Sequence, residues 1–209
     1  MRSARPRRVR RQAEDLTLAG VLNDIQVALE ELRARTGVTR TSLVGQSFGG
    51  RICAYYAAKR PDDVERLVLL CPQLDHKKRT IDSCAYWAGG RLSSDKARVL
   101  REQGFIQHSP TFRHGRAIYN EVFWLRPHTI LDEIQAPTLI VHGTADTLVP
   151  IDTSLAAMDV LNNRSRLEQI DGDQHGFAVD GDPTYAHPQS QVWQAHVIHQ
   201  VADWITAEN

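Results

Sequence analysis

Apolar residues at Leu18, Leu22, Ile25, Leu29 and Leu32 recur at spacings of three and four, so the first patterned segment reads as an amphipathic helix with Gly37 as its stop. The period then changes. Thr41-Ser42-Leu43-Val44 reads as a short strand, and Ile52–Lys59 as a helix that ends before Pro61. Arg66–Pro72 and Pro137–Gly143 are apolar throughout instead of alternating, the pattern of strands covered on both faces. Arg166–Ile170 is a weaker run of the same kind. A last helix is expected from Gln191 to Ile205, with Trp193, Val197, Val201 and Trp204 on one face. Strands alternating with helices through short loops predict an α/β fold: a mostly parallel open sheet with helices on both faces.

Residues 74–127 interrupt this alternation. They hold no convincing buried strand, yet they carry seven of the chain's 14 aromatic residues (Tyr86, Trp87, Phe105, Phe112, Tyr119, Phe123 and Trp124). Basic residues there outnumber acidic ones by ten to five. The segment reads as a cap folded over the sheet, most of its aromatics forming a small core of their own and a few lining a pocket. The expected organisation is therefore a basic, disordered arm over 1–14, a core from 15–73 and 128–209, and a cap from 74–127.

Charge changes the picture only at the N-terminus. The 209 residues balance at 25 basic and 25 acidic, but six arginines (Arg2, Arg5, Arg7, Arg8, Arg10 and Arg11) precede the first acid, Glu14. Without interleaved aromatics such an arm reads as a solvated tail, so no nucleic-acid partner is expected. No apolar run approaches the roughly 18 residues of a membrane span. Cys53, Cys71 and Cys84 lack metal or disulfide-scaffold spacing, and no secretory signal pattern is present, which predicts a cytoplasmic protein.

The chemistry concentrates at Gly45-Gln46-Ser47-Phe48-Gly49-Gly50, between a strand and a helix. A serine there, flanked two residues away by glycines, describes a nucleophile elbow, whose strained turn leaves no space for a Cβ at the flanking positions. A serine hydroxyl needs a histidine base, and that base needs a carboxylate to fix its tautomer. Asp146, in the loop after Pro137–Gly143, fits as the acid; Asp152 suits better the capping of the following helix. His175, in Gly172-Asp173-Gln174-His175-Gly176-Phe177 after the last strand, fits as the base. His196 and His199, three apart, have no nearby carboxylate or cysteine that would make a metal site. The order Ser47…Asp146…His175, each after a strand, matches one known arrangement.

With that arrangement the chain resembles a known family. From about Asp15 to Ile205 it resembles the α/β-hydrolase superfamily, and within it small-capped serine esterases of the serine aminopeptidase-like, monoacylglycerol lipase-like and feruloyl esterase-like kind. The elbow Gly45–Gly50, the strand leading into Cys71-Pro72, the acid loop His142–Pro150 and the loop Gly172–Phe177 carry the likeness. Gln46 stands where relatives often have histidine. The resemblance implies an acyl-enzyme on Ser47, proton transfer by His175 oriented by Asp146, an oxyanion hydrogen bond from the Phe48 N–H, and no cofactor or metal. It implies a small-molecule ester as substrate; thioesterase, acyltransferase and peptidase activities share the same triad. The cap's excess positive charge mildly favours an anionic substrate.

The resemblance also predicts strands that have no counterpart here. Only 46 residues precede Ser47, too few for the earlier strands and the loop that carries the second oxyanion donor. The expectation is an N-terminally truncated hydrolase whose strand Thr41–Val44 becomes an exposed edge. Such an edge predicts pairing, for example as a homodimer, and an alternative role as a catalytically impaired folding or dimerising module.

Overall fold

The computed structural model describes residues 12–109 and 112–207; the arginines of the basic arm lie outside the described residues. Helix α1 (Leu18–Thr36) starts at Thr17, whose side chain accepts the Gly20 N–H at 2.8 Å. It ends at Gly37, which adopts the left-handed φ of 74° that favours glycine. Strand β1 (Thr41–Gln46) leads through Ser47 into α2 (Phe48–Lys59), and β2 (Val64–Leu70) follows.

The segment between β2 and the next long strand holds two short ribbons. They are β3 (Trp87–Ala88) with β4 (Arg91–Leu92), and, after α3 (Ser94–Gln103), β5 (Phe105–Ser109) with β6 (Phe112–Gly115). The second ribbon departs from the strandless reading of this stretch. Its polar alternation, with Ile106 and His114 turned inward, hid it from a search for apolar runs. Helix α4 (Arg116–Glu121) closes the segment, and its Glu121 carboxylate accepts the Leu18 and Ala19 N–H groups at the start of α1. Tyr119 joins Ile106, Ile118 and Val122 in a cluster with Leu18 and Ile52, and Tyr86, Trp87 and Phe123 pack against it. Trp124 remains 76% exposed.

Strand β7 (Thr138–Gly143), helix α5 (Asp152–Met158), strand β8 (Arg166–Ile170) and helix α6 (Pro188–Thr206) complete the chain. The main sheet is parallel throughout, in the order β1-β2-β7-β8. Both faces are covered, which explains the unbroken apolar runs. Leu67, Leu69 and Ile140 meet Leu29, Ala54 and Ala57 on one side. Val68, Leu139 and Val141 meet Val197 of α6 on the other, with Trp193, Val201 and Trp204 packed around them.

Among the described residues no strand lies outside β1, so β1 is an edge of the sheet, as expected, and Val44 on it is 48% exposed. No helix among the described residues is long and apolar enough to cross a membrane.

Candidate active site

Ser47 sits between β1 and α2 with φ 49° and ψ −112°, a backbone conformation that side chains rarely adopt. Three backbone bonds hold it there. Its N–H donates to the Leu70 carbonyl at 2.8 Å, and its own carbonyl accepts from Gln73 at 3.1 Å and Arg51 at 3.4 Å. The turn is tight where glycines occur, though not at both positions the motif suggests. A Cβ on Gly45 would lie 2.6 Å from the Gly49 carbonyl oxygen, and one on Gly50 2.9 Å from Pro72 Cβ. A Cβ on Gly49 meets nothing within 4 Å. Gly50, where α2 passes the end of β2, is therefore the constrained downstream glycine.

Asp146 and His175 come together on the neighbouring strand ends. His175 Nδ1 lies 2.7 Å from Asp146 Oδ2, and the fully buried carboxylate fixes Nδ1 as the protonated nitrogen. That tautomer leaves Nε2 as the basic nitrogen. The other carboxylate oxygen, Oδ1, accepts the N–H groups of Leu148 and Val149 at 2.9 and 2.8 Å. Asp146 thus folds its own loop as well as holding His175. Asp152, by contrast, caps nothing: it is the first residue of α5, with Ile151 at the cap position.

Residues that the sequence reading passed over complete the acid's surroundings. His142, fully buried on β7, places Nε2 3.3 Å from Asp146 Oδ2 and 2.8 Å from the Val149 carbonyl, while Ser154 Oγ meets its Nδ1 at 2.7 Å. A polar ring inside the run Leu139-Ile140-Val141-His142 was the available signal. Burial works to raise the Asp146 carboxyl, but hydrogen bonds from His142, His175 and the Val149 N–H outweigh it and hold the group well below the carboxylate range.

Asp173 is the opposite case. It is fully buried, and neither of its oxygens has a hydrogen-bond partner among the described residues. Burial first, then the like charge of Asp146, push its carboxyl up to about 7.

Cys71 links these groups to Ser47. It follows Leu70, the acceptor of the Ser47 N–H, has φ 42°, and brings Sγ within 4.8 Å of ligand atoms of both Asp146 and His175. Burial pushes its thiol up to about 12. His196 does meet a carboxylate, contrary to the sequence reading. Glu168 on β8 lies beneath α6 and reaches Nε2 at 2.8 Å, an ion-pair geometry that does not include His199.

Ser47 and Phe48 border a cleft of about 610 Å³ that also reaches His76, His108, Phe112 and His114 of the 74–127 segment. As the first residue of α2, Phe48 has an N–H without an intrahelical acceptor. Ser47 Oγ itself has no hydrogen-bond partner among the described residues. What the arrangement can do is nucleophilic acyl chemistry: a hydroxyl on a forced turn, a free amide N–H beside it, and an oriented imidazole on the adjoining loops.

Residues 13–182 match the family described as serine aminopeptidase, S33. A 2-hydroxy-6-oxo-2,4-heptadienoate hydrolase of Pseudomonas putida is 25% identical over 171 residues, covering 66% of this chain and 54% of that protein. The monoacylglycerol lipase ABHD6 of Mus musculus is 25% identical over 164 residues, covering 75% of this chain and 43% of its own. The chain spans about half the length of the curated relatives it matches. Among solved structures, Est1E from Butyrivibrio proteoclasticus aligns with a TM-score of 0.66 at 22% identity, over 90% of this chain and 72% of that one. The fold is that of the α/β-hydrolases.

Proposed function

The chain belongs to the serine aminopeptidase, S33 family of α/β-hydrolases, and from that premise we propose that it is a serine hydrolase cleaving carboxylic esters through an acyl-enzyme. Ser47 Oγ attacks the ester carbonyl while His175 Nε2 takes its proton. The Phe48 N–H donates to the oxyanion, and Asp146 steadies the imidazolium through the Nδ1–H bond. The tetrahedral adduct expels the alcohol, which receives the proton from His175. Water, activated by the same nitrogen, then releases the acid and restores the Ser47 hydroxyl.

The observation that carries this reading is the 2.7 Å Asp146–His175 bond on the loops after β7 and β8, at the sheet end where Ser47 leaves β1. The test is pre-steady-state hydrolysis of p-nitrophenyl esters. A burst of p-nitrophenol equal to the enzyme concentration, absent in Ser47→Ala, is expected; steady release without Ser47 dependence contradicts the reading.

The open edge of β1 favours a second reading, in which that edge pairs with a second copy of the chain. Sedimentation distinguishes the two, since a monomer that hydrolyses esters contradicts a purely dimerising role.

A further inference from the structure

Among the described residues, the cleft beside Ser47 is lined by two arginines and three histidines and by no acidic residue. Its charge is not simply the cap's solvated surface, because the decisive group belongs to α2. Arg51 is 1% exposed; its Nη1 donates to Gln73 Oε1 at 2.6 Å and its guanidinium stacks 3.9 Å from the Phe48 ring centre. Its Nε has no partner, and Arg51 forms no ion pair among the described residues. Burial draws its pKa below the ordinary 12.5, but a guanidinium stays charged at neutral pH. An uncompensated buried cation is strongly unfavourable unless something of opposite charge completes it.

Two histidines of the same lining are buried as well. His76 is 2% and His114 6% exposed, and the Nδ1 atom of each is buried without a partner. Burial, followed by the charge of Arg51, presses His76 down to about 2; burial, then His108 and Arg51, press His114 to about 4. Both rings are therefore neutral near pH 7, so each carries one N–H. Buried polar groups in native proteins are almost always paired. Three exceptions, Arg51 Nε and the Nδ1 atoms of His76 and His114, belong to side chains of one wall beside the candidate nucleophile.

We propose that this wall binds an ionised carboxylate of the substrate, so that the ester held at Ser47 also carries a free carboxylate anchored by Arg51, His76 and His114. The proposal rests on the ester-hydrolase reading for the reacting end of that substrate. Arg79, exposed at the rim of the cleft and without an ion pair among the described residues, draws the anion in.

Glutarate titrated calorimetrically into the Ser47→Ala protein tests the site without catalysis. Turnover of mono-p-nitrophenyl glutarate against p-nitrophenyl pentanoate, an ester of equal chain length, tests it at the reacting centre. We expect glutarate to bind, inorganic phosphate to bind more weakly, and kcat/KM to favour the charged ester. In Arg51→Gln that preference should fall by about tenfold to 100-fold, the worth of a hydrogen bond to a charged group. Because Arg51 is buried, Arg79→Gln provides a variant at an exposed position and should lower the preference severalfold. Equal turnover of both esters with no glutarate binding overturns the proposal and leaves ester hydrolysis standing. Glutarate binding that Arg51→Gln abolishes, with neither ester cleaved, supports the anion site and sinks the hydrolase reading instead. Phosphate binding as tight as glutarate overturns the assignment to a carboxylate.

Discussion

His175 donates from Nδ1 to Oδ2 of Asp146 at 2.7 Å, and the two residues stand on the loops that leave neighbouring strands β7 and β8. Strand pairing brings the loops together, while the Leu148 and Val149 N–H groups hold the other oxygen of Asp146 in place. Orientation of the imidazole is thus built into the sheet.

Asp146→Asn keeps an oxygen for the Leu148 and Val149 N–H groups but turns an amide NH2 toward His175, which reverses the imidazole tautomer. The expected result is a folded protein whose kcat falls by roughly 1000- to 10,000-fold, the scale of such a change in serine proteases. Circular dichroism and ester kinetics together check it; undiminished turnover would remove Asp146 from the mechanism.

His142 carries a structural share of the same network. Its replacement by Phe leaves Ser154 and the Val149 carbonyl without partners and should cost about 1–3 kcal/mol in denaturant unfolding at pH 7. The Asp146 carboxyl is depressed in the folded state, so it stabilises above the ordinary carboxylate range and loses that contribution as pH falls through its folded value. Removing one of its donors weakens this term, and the gap between wild type and variant should narrow on acidification.

Asp173 should show the reverse sign. Its carboxyl is raised from 3.8 to about 7 when folded, so the folded state favours the protonated form. Its penalty is absent below the unfolded value, grows as pH climbs from about 4, and is complete above about 7. Asp173→Asn should therefore raise Tm at pH 8.5, by roughly 5 °C, and leave it close to wild type at pH 4.5. A variant less stable at pH 8.5 would show that the ionised carboxylate has partners at that site.

The elbow glycines separate by sign. Gly45→Ala and Gly50→Ala place a Cβ 2.6 Å from a backbone oxygen and 2.9 Å from Pro72, and thermal unfolding should show both variants destabilised by about 1–3 kcal/mol. Gly49→Ala meets open space inside α2 and should stabilise by about 0.5–1 kcal/mol through helix propensity. Equal losses at all three positions would contradict this account of the turn.

These residues also show what the chain's pattern makes legible. Continuous apolar runs located β2 and β7 because strands covered on both faces need nothing else, and Ser47, Asp146 and His175 stood out because each follows a strand in a telling order. The ribbon β5–β6 was hidden because one exposed face breaks its run of apolar residues. Arg51, His142 and Asp173 were hidden for a different reason. Each is polar within an apolar or glycine-rich stretch, and only the tertiary neighbours reveal whether such a group is paired, as His142 is, or left without a partner, as Asp173 is. Gly49 and Gly50 illustrate the same limit: adjacent identical residues differ in constraint only because Pro72 lies beside one of them.

The central claim is that Ser47 is an activated nucleophile, and covalent labelling with a fluorophosphonate, mapped by peptide mass spectrometry, addresses it most directly. The account predicts one adduct per chain on Ser47, lost in Ser47→Ala and slowed at least about 1000-fold in His175→Ala. A folded protein that takes up no label, or takes it up at another residue, would contradict it.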